Sequence, residues 1–198
     1  MNILLTGGAG YIGSHAATVL TRLGHQVVVY DNLSNSSDGI LTKLTQITNT
    51  NIPFVEGDVR DTPLISSTLT KHNIDAVVHF AGLKAVGESV QDPARYFDNN
   101  VGGSLSLIQA MQENAIKRIV FSSSATVYGE PQYLPCDEDH PTNPINPYGR
   151  TKLFIEEILR DVAASDSAWS VAILRYFNPI GAHPSGFSRR PWSTARGA

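Results

Sequence analysis

Runs of continuous apolar residues alternate along this chain with stretches whose apolar positions return every three to four residues. The first kind predicts buried strands and the second predicts helices. Asn2–Thr6 is short and apolar and runs into glycines, which predicts a strand and a turn. Tyr11–Leu23 places Ile12, Ala16, Val19, Leu20 and Leu23 on a helical period, and Gly24 ends it. Val27-Val28-Val29 marks a β-branched strand over Gln26–Tyr30. Strands at Ile52–Glu56, Ala76–Phe80, Arg118–Ser122 and Ser170–Tyr176 then alternate with helices at Thr62–His72, Asp92–Asn114 and Pro147–Ala164. Pro147 suits a helix start, where its missing N–H would be unpaired anyway. Strands apolar throughout and joined by helices predict an α/β fold, a doubly wound parallel sheet with helices on both faces.

Composition narrows the classes of function. The 198 residues are 41% hydrophobic and 17% charged, which suits one globular domain with a substantial core. A net charge of -3 offers no polybasic surface to nucleic acid or to an anionic membrane. No apolar stretch is long enough to span a bilayer. The six histidines show no paired ligand spacing, so no metal is expected. Cys136 stands alone and cannot close an internal disulfide, which fits a reducing cytoplasm. The apolar start stops at glycines after a few residues and predicts a strand, not a signal peptide.

Two groups of residues carry chemistry. Gly7-Gly8-Ala9-Gly10-Tyr11-Ile12-Gly13 lies between the first strand and the first helix. Gly8, Gly10 and Gly13 fit G-x-G-x-x-G, and Gly7, Gly10 and Gly13 fit G-x-x-G-x-x-G. Such glycines allow a tight turn, close approach of backbone to a pyrophosphate, and close helix–strand packing. The helix start offers free N–H groups to phosphate. Asp31 follows at the end of the second strand, where a carboxylate can accept both ribose hydroxyls and repel a 2′-phosphate; a Rossmann-type fold binding NAD is expected. Asp58, after the third strand, is either a contact to the adenine end or a plain turn residue.

The second group is Tyr148 and Lys152, four residues apart and on one face of a helix. An ammonium beside a phenol stabilises phenolate and lowers the tyrosine from its ordinary value of about 10. That makes a general base for a sugar hydroxyl. Ser122-Ser123-Ser124-Ala125-Thr126 ends a strand at the sheet edge where ligands bind. Ser124 is the expected bridge between substrate and phenol, with Ser123 and Thr126 as competitors. Lys152 is expected also to reach the nicotinamide ribose.

On these residues the chain resembles the UDP-glucose 4-epimerase branch of the extended short-chain dehydrogenase/reductase family. The resemblance rests on Thr6–His15, Asp31-Asn32-Leu33, His79–Ser89, Ser122–Gly129, Pro147–Lys152 and Leu174–Pro179, and reaches about Gly186. It implies NAD contacts at Gly7, Gly10, Tyr11, Ile12, Gly13, Asp31, Asn32, Leu33, Ser34, Asn35 and Ser36. Further contacts are implied at Asp58, Val59, Phe80, Ala81, Gly82, Leu83, Lys84, Asn99, Ser122, Tyr148, Lys152 and Phe177. Ser124, Tyr148 and Lys152 would carry catalysis, and Ser124, Tyr148 and Asn178 would touch the UDP-sugar. The implied reaction interconverts UDP-glucose and UDP-galactose through transient oxidation at sugar C4. Dimers in the family pack two helices, here 92–114 and 147–164. A 4,6-dehydratase, the rival within the fold, places Asp-Glu where this chain has Ala125-Thr126, and neither of those can do acid–base work.

The resemblance fades after Gly186. Residues 1–186 are expected to form the NAD-binding domain, and 187–198 a divergent, disordered tail. Family members continue into a C-terminal lobe that encloses the sugar nucleotide. A chain largely without that lobe would be either an epimerase with impaired turnover or a cofactor-binding fragment.

Overall fold

A computed structural model describes residues 1–36 and 39–186; the tail expected at 187–198 lies outside them. Six strands form one parallel sheet in the order β3-β2-β1-β4-β5-β6. They are β1 (Asn2–Thr6), β2 (Gln26–Asp31), β3 (Phe54–Glu56), β4 (Ala76–His79), β5 (Arg118–Ser124) and β6 (Ser170–Tyr176). The helices are α1 (Tyr11–Arg22), α2 (Gly39–Thr48), α3 (Thr62–Lys71), α4 (Val86–Gln91), α5 (Pro93–Tyr96), α6 (Gly103–Glu113) and α7 (Pro147–Ser165). The chain begins in the middle of the sheet, winds outward to β3, and returns past β1 to β4. The strand order therefore reverses between β1 and β4, which opens a crevice at their carboxyl ends.

Both faces of the sheet are covered over the inner strands, which is why those lack alternation; on the edge strand β6, Ser170, Ala172 and Leu174 are exposed. Ile3, Leu5, Val27 and Val29 pack on one side with Ala17 of α1 and Leu44 of α2. Leu4, Val28, Val77, Ile119 and Phe121 pack on the other with Leu69 of α3, Leu107 and Met111 of α6, and Ile155 and Leu159 of α7. Successive strand side chains point to opposite faces, so a strand buried on both must be apolar at every position.

The expected and observed elements differ in several places. Helix α2 is not among the expected elements, although Ile40, Leu41, Leu44 and Ile47 fall on a helical period; its threonines are weak helix formers, and Thr45 and Thr48 return their hydroxyls to the carbonyls of Leu41 and Leu44. The short helix α4 is unmarked by any long period. The single helix expected over 92–114 is broken into α5, a π-helical turn over Phe97–Gly102, and α6. Inside that turn Asn100 bonds both backbone groups of Leu83 and the Thr151 hydroxyl, contacts that no local periodicity encodes. Strand β3 begins after Pro53, later than expected, because proline brings no N–H to the ladder.

Helix α7 starts as the sequence predicts. Asn146 accepts the Gly149 N–H at 2.8 Å and Pro147 takes the first helical position. Asn146→Ala is expected to cost about 1 kcal/mol of stability, the usual worth of such a cap, measured by urea unfolding.

Candidate active site

The glycine loop closes tightly on itself. A Cβ built on Gly13 would sit 2.4 Å from the Gly7 carbonyl oxygen and 2.7 Å from Gly8 Cα. Gly7 has φ +67°, and a Cβ there would meet the Ala81 nitrogen at 2.6 Å. Gly10 precedes α1 and supplies no side-chain cap. The amides of Tyr11, Ile12 and Gly13 thus open the helix with no intrahelical partner. This is a cradle shaped for an anion at a positive helix end.

Asp31 ends β2 beside that cradle. Its Oδ2 accepts from the Ala9 amide at 3.1 Å, and its Oδ1 accepts from the Leu33 amide and the Ser36 hydroxyl. The turn that follows is ordered from within: Asn32 Oδ1 accepts from the Ser34 amide, and Asn32 Nδ2 reaches Asp58. Asn35 lies exposed in the same turn.

Asp58 is bound more firmly than a plain turn residue. Arg60 donates to both its oxygens and also pairs with Asp98. Hydrogen bonds from Arg60, against the opposing effect of burial, hold the Asp58 carboxyl down at about 2. The folded value lies below the ordinary one, so the pair stabilises above 3.8 and the gain is lost as pH falls toward 2. The stability difference between wild type and Asp58→Asn is expected to be small, because both partners are partly exposed. It should close over that pH window in thermal melts.

Beyond β4 the chain passes over the crevice. Phe80 and Ala81 abut Gly7, Gly82 has φ +155°, and Leu83 is held by Asn100. Asn99 bonds its neighbour Asn100. Val59 is buried against Gly103, and exposed Lys84 follows the buried Leu83. After β6, Phe177 and Asn178 are exposed, and the Phe177 ring lies 6.3 Å from that of Tyr128. The Tyr11 hydroxyl donates to the Gly181 carbonyl at 2.8 Å, which brings this last segment across the glycine loop.

Tyr148, Lys152 and the end of β5 meet at the same edge of the sheet. Lys152 is buried and its ammonium donates to the Ser122 carbonyl at 2.8 Å. The Ser124 hydroxyl is near enough to the Tyr148 phenol to favour its ionised form. Ser124 Oγ accepts from the Thr126 amide and hydroxyl. Ser123 instead turns to Glu156 and is buried. Of the three hydroxyl candidates, Ser124 is thus the one that acts on the phenol.

One electrostatic expectation is corrected. The phenol was expected below its ordinary value because of Lys152, yet burial pushes it up, with only the Ser124 hydroxyl working the other way. Lys152 Nζ stands 6.0 Å from the Tyr148 ring centroid and is engaged by the Ser122 carbonyl. A desolvated phenol without a close cation favours its neutral form. Burial also pushes the Lys152 ammonium down to about 8.

Several residues that hold this edge together escaped the pattern. His79 links Thr6 of β1 to Ser104 of α6 and is kept neutral by burial, pushed to about 3. Asn100 ties the segment after β4 to α7. Glu156, midway along α7, and Arg175, near the end of β6, form an ion pair whose carboxylate is fully buried. A charged residue within the apolar stripe Ile155–Leu159 was the available signal for Glu156; nothing local marked the others.

A glycine cradle at an uncapped helix start, a carboxylate at the next strand end and a buried lysine fit a dinucleotide across the crevice. The chain belongs to the NAD dependent epimerase/dehydratase family, which matches residues 3–196. It is 54% identical over 186 residues to the UDP-glucose 4-epimerase of Bacillus subtilis and 51% identical over 189 to UDP-glucose 4-epimerase 2 of Arabidopsis thaliana. Those matches take in 94% of this chain but only 55% and 54% of the relatives, so the chain spans about half their length. A crystal structure of UDP-glucose-4-epimerase from Stenotrophomonas maltophila with NAD and formylated UDP-arabinopyranose superposes with a TM-score of 0.96 at 48% identity. The overlap takes in 100% of this chain and 59% of that one. The Bifidobacterium longum enzyme in complex with NAD+ and UDP gives 0.94 at 49% identity, over 96% of this chain and 57% of that one.

Proposed function

We propose that this chain carries the NAD-binding and catalytic half of a UDP-glucose 4-epimerase, and that it interconverts UDP-glucose and UDP-galactose. The observation that carries this reading is the meeting of Tyr148, Ser124 and Lys152 at the sheet edge next to the glycine cradle. Bound NAD would supply hydride acceptance from the sugar C4 and its return to the opposite face.

The residues divide the remaining work. The first-turn amides of α1 receive the pyrophosphate, and Asp31 receives the adenosine ribose. Asp58 and Val59 lie toward the adenine, and Phe80 to Lys84 with Asn99 run along the nicotinamide half. Tyr148 takes the proton from the sugar 4-hydroxyl and later gives it back, with Ser124 bridging phenol and substrate. Lys152 holds the nicotinamide ribose and contributes positive charge. A cationic nicotinamide beside the phenol would shift Tyr148 toward phenolate, opposing the burial that now keeps it neutral. Asn178 meets the sugar nucleotide, and Phe177 the cofactor.

The exposed apolar side chains Leu105 of α6 and Phe154 of α7 support a homodimer through the helices at 92–114 and 147–164. Among the described residues no helix is long and apolar enough to cross a membrane, and we place the protein in the cytoplasm. The test is to titrate the purified chain with NAD+ and then assay UDP-glucose formed from UDP-galactose. Binding with conversion supports the full reading. Binding without conversion leaves the second reading, an NAD-binding fragment impaired in turnover.

A further inference from the structure

Glu156 is a buried charge for which the chemistry above has no use. It lies on α7 one turn beyond Lys152 and is 0% exposed. Its carboxylate gathers donors from three elements. Oε1 accepts from the Ser123 hydroxyl of β5 at 2.5 Å and from Arg175 Nε of β6 at 3.1 Å. Oε2 accepts from Arg175 Nη2 and from Arg160 Nη2 of α7, both at 2.8 Å. The Arg175 guanidinium lies 4.9 Å over the ring of Tyr128, just past the 3-10 turn Ala125–Val127.

Packing alone does not require this arrangement. A buried ion pair is often no more stabilising than apolar side chains of the same volume. What the pair adds is direction, since a guanidinium fork and a carboxylate meet in one geometry. The residue it fixes on β5 is Ser123. On one side of Ser123 is the Ser122 carbonyl, which receives the Lys152 ammonium; on the other is the Ser124 hydroxyl, which favours the ionised Tyr148 phenol.

We propose that Glu156 is a positioning residue: by holding Ser123 and Arg175 against α7, it sets the separation at which Ser124, Tyr148 and Lys152 meet. The proposal rests on the roles given to those three residues above.

The charge of Glu156 acts in the same direction. Burial favours the neutral amine of Lys152, and the Glu156 carboxylate opposes it. The other groups facing Lys152 are the Phe121 ring at 4.8 Å, His79 from β4 and Tyr148 from its own helix. His79 is neutral, so Glu156 is the anion in this set.

The test is an NMR titration of the whole chain carrying 13Cε-lysine and 13Cζ-tyrosine, with Lys152 and Tyr148 assigned from Lys152→Met and Tyr148→Phe. Glu156→Gln is expected to lower the proton affinity of Lys152 about tenfold, or one pKa unit, and Glu156→Asp to restore more than half of that. Ser123→Ala removes one hydroxyl and no charge. It is expected to raise the proton affinity of Tyr148 about threefold as Ser124 loses its anchor. A Lys152 midpoint in folded Glu156→Gln within about twofold of wild type overturns the proposal. Should that variant not fold, an unmoved Tyr148 midpoint in Ser123→Ala overturns it. A role in stability alone would change the melting temperature and leave both midpoints in place. These titrations need no added NAD. Failure of the wild-type chain to bind NAD would defeat the functional reading without erasing the shifts.

Discussion

Replacing Tyr148 with phenylalanine is expected to slow interconversion of UDP-galactose and UDP-glucose by about 10²- to 10⁴-fold, the usual worth of a positioned proton-transfer group. NAD affinity should stay within about twofold, because only the phenol oxygen is lost and the ring keeps its packing. The phenol is buried, and the substitution removes its oxygen without opening a large cavity. Steady-state rates alongside calorimetric titration with NAD+ separate the two effects. Loss of rate with intact binding identifies Tyr148 as the proton acceptor. Equal loss of both would make it a binding residue, and an unchanged rate would remove it from the chemistry.

Gly13→Ala is expected to weaken NAD binding by about 100-fold or more and to destabilise the fold by about 1–3 kcal/mol, the range for overpacking a tight site. The new methyl would stand 2.4 Å from the Gly7 carbonyl oxygen and 2.7 Å from Gly8 Cα. Both are backbone atoms, so relief requires the loop to move away from the start of α1. That movement displaces the amides that receive the pyrophosphate, which is why binding suffers more than stability. Gly24→Ala is the internal control for stability: nothing lies within 4 Å of its Cβ, yet its φ of +84° still carries the strain of a left-handed residue. NAD affinity unchanged in Gly13→Ala would show that the loop does not hold the pyrophosphate.

The period of apolar residues, the glycine spacing and the pair Tyr148 and Lys152 are local facts, and local facts survive in a sequence. They specified the six parallel strands, the helices α1, α3 and α7, the α/β class, and the edge of the sheet where the chemistry gathers. Their physical basis is short-range: backbone pitch, the need to bury a face, and the conformations open to glycine and closed to proline. The tertiary structure decided what depends on residues distant along the chain. The π-helical turn at Phe97–Gly102 follows from Asn100 meeting Leu83 and Thr151. The raised Tyr148 phenol follows from burial and from a lysine drawn away to the Ser122 carbonyl. The choice of Ser124 over Ser123 follows from Glu156, which claims Ser123 for the frame of the site. Desolvation and hydrogen-bond competition are properties of a three-dimensional neighbourhood, and no spacing of residues along the chain contains them.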